Sequence, residues 1–194
     1  GHEAAPLVVG NTMFIVTPYP NVVYAIDLSQ PGAPLRWRFE PKPEAFAQGV
    51  ACCDVVNQGL AYEDGKVFLN TLDNQTIAID AANGRELWRY RMGDIRAGET
   101  RTMAPLVVKG RVLIGNSGSE YGVRGWLIAL DAQRGKELWR ATLPEDALMT
   151  PLTYQGANGK QFVAVVAGGG DAAFHIPAKP SPGANATVVA FSLK

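Results

Sequence analysis

Two histidines and two cysteines are all the sequence offers of the side chains that most often bind transition metals. His2 and His175 are too few for an all-imidazole triad and read as solvated. One cysteine pair does not fix the compartment, and a disulfide between them would favour an oxidising one. Excess charge is absent as well, since 18 Lys and Arg balance 18 Asp and Glu. A neutral chain has no electrostatic footprint for nucleic acid or an anionic membrane surface. No run of about 18 apolar residues occurs, so no segment reads as a transmembrane helix. No secretory leader is visible, and the sequence opens mid-motif at Gly1-His2-Glu3. It therefore reads as a mature or trimmed segment.

Turn chemistry is what the sequence has in quantity. Its 21 glycines and 13 prolines stand in short clusters, the punctuation of an all-β chain. The 194 residues suffice to bury a sizeable core. No linker-like break interrupts them, so residues 1–194 are expected to form one domain.

Internal repeats set the architecture. Ala25-Ile26-Asp27 leads through a Pro-Gly turn to Trp37. Ala78-Ile79-Asp80 leads through Asn83-Gly84-Arg85-Glu86-Leu87 to Trp88. Ala129-Leu130-Asp131 leads through Arg134-Gly135-Lys136-Glu137-Leu138 to Trp139. The three tryptophans are spaced by 51 residues each. Ala5-Pro6-Leu7-Val8-Val9, Gly59-Leu60-Ala61-Tyr62, Ala104-Pro105-Leu106-Val107-Val108 and Thr150-Pro151-Leu152-Thr153-Tyr154 each open a unit.

The third unit predicts four strands: Leu106 to Val108, Arg111 to Gly115, Trp126 to Asp131, and Glu137 to Ala141. Lys109-Gly110 is a two-residue hairpin turn between the first two. Four antiparallel strands per roughly 40 to 50 residues is the spacing of β-propeller blades. Each Asp is expected to accept backbone N–H bonds inside its turn, and each Trp to pack between blades or as a plain core aromatic. The fourth unit predicts three strands: Thr150 to Tyr154, Gln161 to Ala167 and Thr187 to Ser192. Ser192 stands where the other units have Asp. Residues 168–186 read as a long Gly-, Pro- and Ala-rich loop. The expected fold is thus an all-β propeller of about four blades.

Cys52 and Cys53 are adjacent, and two readings stand. They are buried thiols packing as small apolar groups, or they form a strained eight-membered disulfide ring of the kind found at functional sites. Four stretches then carry a resemblance: Gly1-His2-Glu3-Ala4-Ala5-Pro6-Leu7-Val8-Val9-Gly10; Ala51-Cys52-Cys53-Asp54-Val55-Val56-Asn57; Thr102-Met103-Ala104-Pro105; and Gly115-Asn116-Ser117-Gly118-Ser119-Glu120 with Gly122-Val123-Arg124-Gly125. On these the chain resembles the pyrroloquinoline quinone (PQQ) dependent alcohol dehydrogenases, a quinoprotein family that includes the methanol dehydrogenase large subunit. The likeness runs through about the first 145 residues. The remainder is similar to the closing blade of PQQ sugar and polyol dehydrogenases. The Asp-to-Trp segments match that family's tryptophan-docking motif.

The resemblance implies a role for each matched residue. Cys52 and Cys53 would form the vicinal disulfide against one face of PQQ. Glu3, Thr102, Ser117, Gly118 and Ser119 would hydrogen-bond the cofactor. Glu120 would be a ligand of Ca²⁺ or a lanthanide, a hard cation that needs oxygen donors and acts as a Lewis acid on the quinone carbonyl. Without that context Glu120 reads as a surface carboxylate, Glu3 as a fraying terminus and Asn57 as a turn residue. Asp171 is a weaker site candidate, facing the pore.

The departures from the family are equally specific. The family ring has about eight blades, and the stretch that would lie between Asp146 and Met149 is missing. With it go the Asn and Asp metal ligands, the Asp being the proposed catalytic base, and the Trp on the second face of PQQ. Gln58 replaces a family Arg. Two chains pairing head to tail would rebuild the ring, and four blades closing alone would make a small one. The resemblance implies oxidation of a small alcohol, with electrons passing to a cytochrome in the periplasm. The alternatives are a non-catalytic PQQ-binding propeller and a propeller scaffold for protein assembly.

Overall fold

A computed structural model describes residues 1–51, 54–118, 121–144, 151–167 and 187–192. Strands β1 (Leu7–Val9), β2 (Thr12–Val16), β3 (Val23–Asp27) and β4 (Leu35–Phe39) form the first antiparallel sheet, in that order. The second runs β5 (Ala61–Glu63), β6 (Lys66–Asn70), β7 (Gln75–Asp80) and β8 (Glu86–Arg91). The third is β9 (Leu106–Val108), β10 (Arg111–Gly115), β11 (Trp126–Asp131) and β12 (Glu137–Thr142). The fourth has, among the described residues, three strands, β13 (Leu152–Gln155), β14 (Gln161–Ala167) and β15 (Thr187–Ser192). This is the meander of propeller blades that the repeats predict. Two short helical turns, Ala47–Val50 and Ile95–Ala97, are additions that the strand pattern does not signal.

The hairpins follow from backbone sterics. Asp64-Gly65 joins β5 to β6 and Lys109-Gly110 joins β9 to β10, all four residues at positive φ. Two positive φ angles define the two-residue turn whose twist matches the flanking strands. The middle strands are apolar on both faces because both are covered. Val67, Leu69, Ile77 and Ile79 pack toward Phe14, Val23 and Trp37 of the first blade. Phe68 and Ala78, pointing the other way, pack against Val112, Ile114, Ile128 and Leu130 of the third. Leu113, Leu127 and Ala129 then pack against Val163 of the fourth. Strand alternation of period two thus becomes a stack of four sheets.

Each turn aspartate acts as expected. Asp80 Oδ1 accepts from Ala82 N–H at 2.9 Å, and Asp131 Oδ1 accepts from Gln133 and Arg134 N–H, both at 2.8 Å. The turn then receives the preceding blade's tryptophan. Trp37 Nε1 donates to the Ala81 carbonyl at 3.0 Å, and Trp88 Nε1 to the Ala132 carbonyl at 3.1 Å. The rings lie so close to Gly84 and Gly135 that a Cβ there would sit 2.8 and 2.6 Å from ring carbons. Among the described residues no strand pair and no shared core cluster joins the fourth blade to the first.

Candidate functional site

Three segments distant in sequence lie side by side at one end of the blades. The chain leaving the cysteine pair reaches Gln58, whose N–H donates to the Thr102 carbonyl at 2.8 Å. Ser117 N–H donates to the Thr100 carbonyl at 3.1 Å, closing an isolated antiparallel bridge. Residues 100–102 are thus bound on one side to the segment after Cys53 and on the other to the segment before Ser119. The loop between β2 and β3 joins them through Tyr19 N–H and the Val55 carbonyl, at 2.8 Å.

Buried amides hold this arrangement. Asn57 is 1% exposed; its Nδ2 donates to the Asn70 carbonyl at 2.9 Å and its Oδ1 accepts from Gly59 N–H at 3.0 Å. It is a turn residue, as its sequence context suggests. Asn70 in turn donates to the Met103 carbonyl at 3.0 Å and accepts from Thr76 Oγ1 at 2.7 Å. A buried amide left unpaired would be costly, so such a chain fixes the register of the loops.

Thr102 and Ser117 are half-buried, and among the described residues their hydroxyls have no hydrogen-bond partner. Gly118 is buried at φ +124°, and a Cβ on it would lie 2.6 Å from the Gly98 carbonyl. No side chain fits there. Its own carbonyl accepts from Tyr121 N–H at 2.9 Å and from Val123 N–H at 3.1 Å, which curls the loop back. Glu3 is exposed, and its neighbour Gly1 meets Asp54 through the terminal ammonium. That hydrogen bond, with one from Val55 N–H, holds the Asp54 carboxyl below the usual carboxylate range. Cys52, Cys53, Ser119, Glu120, Asp171 and His175 lie outside the described residues.

Some residues of the region are not signalled by sequence. Arg101 is fully buried beside Thr102. Its Nε donates to the Gly115 carbonyl at 3.1 Å, and its guanidinium carbon lies 5.2 Å from the Trp126 ring centroid. Burial lowers its pKa to about 9, which leaves it a cation at neutral pH. Trp126 Nε1 donates to Glu99 Oε1 at 2.9 Å. Tyr121 Oη donates to the Val50 carbonyl at 2.9 Å, tying the residue after Glu120 to the helical turn before Cys52. Seventy-one residues separate this pair, so no local pattern announces it.

Two hydroxyls without a partner among the described residues, Thr102 and Ser117, make a donor pair suited to an anionic, oxygen-rich group. PQQ, with three carboxylates and a quinone, has that chemistry. Among the described residues no three His, Cys, Asp or Glu side chains cluster closely enough to hold a metal ion.

Residues 1–168 match the PQQ_2 family model, described as outer membrane protein assembly factor BamB. The chain is 53% identical over 141 residues to the lanthanide-dependent methanol dehydrogenase of Methylacidiphilum fumariolicum (strain SolV), covering 73% of this chain and 23% of that protein. It is 45% identical over 166 residues to methanol dehydrogenase (cytochrome c) subunit 1 of Paracoccus denitrificans, covering 81% and 26%. A solved europium-containing methanol dehydrogenase superposes with a TM-score of 0.72 at 53% identity, covering 73% of this chain and 25% of that one. The chain spans about a quarter of the length of the curated relatives it matches.

Proposed function

The chain belongs to the PQQ-dependent alcohol dehydrogenase family, and from that membership we propose that it contributes the PQQ-facing part of a periplasmic enzyme oxidising a small alcohol. The observation that carries this reading is the hydrogen-bonded adjacency of residues 54–58, 100–102 and 115–118. Thr102, Ser117 and Ser119 would hold the cofactor's carboxylates and quinone edge, with Glu3 reaching from the terminal segment. The Gly118 loop would bring its backbone close without steric conflict. Cys52 and Cys53 would cover one cofactor face, and Glu120 would be an oxygen ligand of Ca²⁺ or a lanthanide. When bound, PQQ supplies the two-electron acceptor, and the cation polarises its carbonyl.

What this chain's own residues do is orient and pack. The amide chain Asn57–Asn70 holds residues 57–59 against the Thr102 segment. Arg101 fixes the end of β10 from within through the Gly115 carbonyl. Asp54 Oδ1 accepts from Val55 N–H at 2.7 Å, which shapes the turn after Cys53. A lanthanide is named for one relative and a cytochrome for another. For this chain both are part of the proposal. So is a head-to-tail pair of chains completing an eight-bladed ring. Its support is that the outermost blades carry apolar faces: half-buried Met13, Ile15 and Tyr24 on the first, and exposed Leu152, Tyr154 and Val188 on the fourth.

The test is a titration of the purified protein with PQQ, with and without Ca²⁺ or La³⁺, followed by absorbance. The reading expects saturable binding that metal strengthens, that Thr102→Val weakens about tenfold, and that Glu120→Ala makes metal-independent. A dye-linked alcohol assay on the loaded protein then follows. Absence of PQQ binding with every metal would leave the second reading, a non-catalytic propeller.

A further inference from the structure

The fold buries one full positive charge next to the two hydroxyls of the candidate site. Arg101 is 0% exposed and spans from the second blade to the third. Its Nε donates to the Gly115 carbonyl at 3.1 Å and its Nη1 meets Thr76 Oγ1 at 3.4 Å. Its Nη2 is buried with no hydrogen-bond partner among the described residues. The two carboxylates whose fields reach it, Glu99 and Asp73, are committed elsewhere. Glu99 accepts from the Trp126 indole N–H at 2.9 Å and from the Asp94 N–H. Asp73 accepts from Thr71 Oγ1 at 2.6 Å, from Gln75 Nε2 at 2.7 Å and from Arg91 Nη2 at 3.3 Å.

The guanidinium sits between the segments that carry the two hydroxyls. Arg101 is the residue before Thr102, and the carbonyl it holds, that of Gly115, lies two residues before Ser117. The Thr100–Ser117 bridge ties these segments to each other. With the Trp126 ring centroid 5.2 Å from its guanidinium carbon and no exposed surface, the charge has no water against it. A buried charge acts over a longer distance than a surface one and is screened little by salt. Such a charge is costly to a fold, and an apolar side chain of similar volume commonly packs in its place without loss. The bond to the Gly115 carbonyl needs only a neutral donor. Packing alone therefore accounts for the length of this side chain and not for its charge.

We propose that Arg101 is a positioning and specificity-determining residue for the anionic cofactor: its fixed positive charge draws the carboxylates of PQQ to the Thr102 and Ser117 hydroxyls. The hydroxyls give direction and the guanidinium gives the field. The same field selects a carboxylated quinone over a neutral one of the same shape. This inference rests on the reading that the site takes PQQ.

The test compares the binding of PQQ and of its uncharged trimethyl ester, by absorbance titration at one fixed Ca²⁺ concentration. Arg101→Met keeps the bulk and removes the charge. It should weaken PQQ binding about tenfold and ester binding by no more than about twofold. Arg101→Gln, which keeps a donor for the Gly115 carbonyl, should repeat that contrast in a second uncharged background. Arg101→Lys, which keeps the charge, should hold PQQ within about threefold of the parent. Circular dichroism melts check the fold, and Arg101→Met should melt at or above the parent temperature because the desolvation cost leaves with the charge. Parental PQQ affinity in the uncharged variants overturns this inference alone, and so does an equal loss for PQQ and its ester, which would assign Arg101 to packing. A parent protein that binds no PQQ overturns the cofactor reading and this inference with it.

Discussion

Single side chains do the long-range work at the candidate site. The Tyr121 hydroxyl bonds the Val50 carbonyl and links the loop after Glu120 to the turn before Cys52. Tyr121→Phe keeps the ring and deletes that bond. It should cost about 0.5–1 kcal/mol of stability, since a net hydrogen bond is worth about that. It should also raise the PQQ dissociation constant several-fold, read from the same absorbance titration. Asp27 gives a pH-dependent case. Its carboxyl accepts from Ser29 and pairs with Arg36 at 2.8 Å, with the Arg36 bond the main cause of its lowered pKa. A lowered folded-state pKa gives stability that is complete above the ordinary aspartate value of about 3.9 and is lost as pH falls through the folded-state value. Asp27→Asn keeps the turn acceptor and removes the charge. Its melting temperature should fall below that of the parent at pH 7, and the gap should narrow steadily below pH 4. A gap constant down to pH 2 would assign the effect to shape rather than charge.

Elements are joined by one device used repeatedly, a glycine under a tryptophan. Gly135 sits at φ +67° with the Trp88 ring against it, so any Cβ meets both backbone strain and a ring. Gly135→Ala should destabilise by about 2–3 kcal/mol, as overpacking does, and should red-shift Trp88 emission as the ring is pushed toward water. Trp37 and Trp139 should also respond differently to truncation. Trp37→Ala opens a cavity in a filled interface and should cost about 3–5 kcal/mol. Trp139→Ala, at a position already more than a third exposed, should cost about 1 kcal/mol. Denaturant melts of both variants check the contrast.

At the scale of the whole molecule, the sheets stack in sequence order and both ends of the stack remain apolar. On the fourth blade, Leu152, Tyr154 and Val188 are 55%, 44% and 69% exposed. The head-to-tail pairing proposed above predicts a particle of twice the chain mass by light scattering. Val188→Glu, which puts a charge on that face, should shift it toward the monomer. A parent protein that is monomeric at every concentration rules the pairing out.

Much of this was legible in the sequence because its causes are local or periodic. The 51-residue tryptophan spacing, the turn glycines and the period-two apolar runs set four blade units, and the third unit's strands fall where they were expected. Motif resemblance, rather than periodicity, drew attention to Thr102, Ser117 and Gly118. What brings them together is hydrogen bonding between segments about 15 to 45 residues apart, which no window of sequence contains. Arg101 shows the limit well. A charged residue between two threonines reads as a surface residue, yet the fold buries it because a carbonyl from β10 and the Trp126 ring close over it. Trp139 has the same local motif as Trp37 and Trp88. The repeat by itself determined that a tryptophan stands there. Only the tertiary structure decided how each ring is covered, because the carbonyl and glycine that receive Trp37 and Trp88 belong to the next blade and not to the motif that carries the tryptophan.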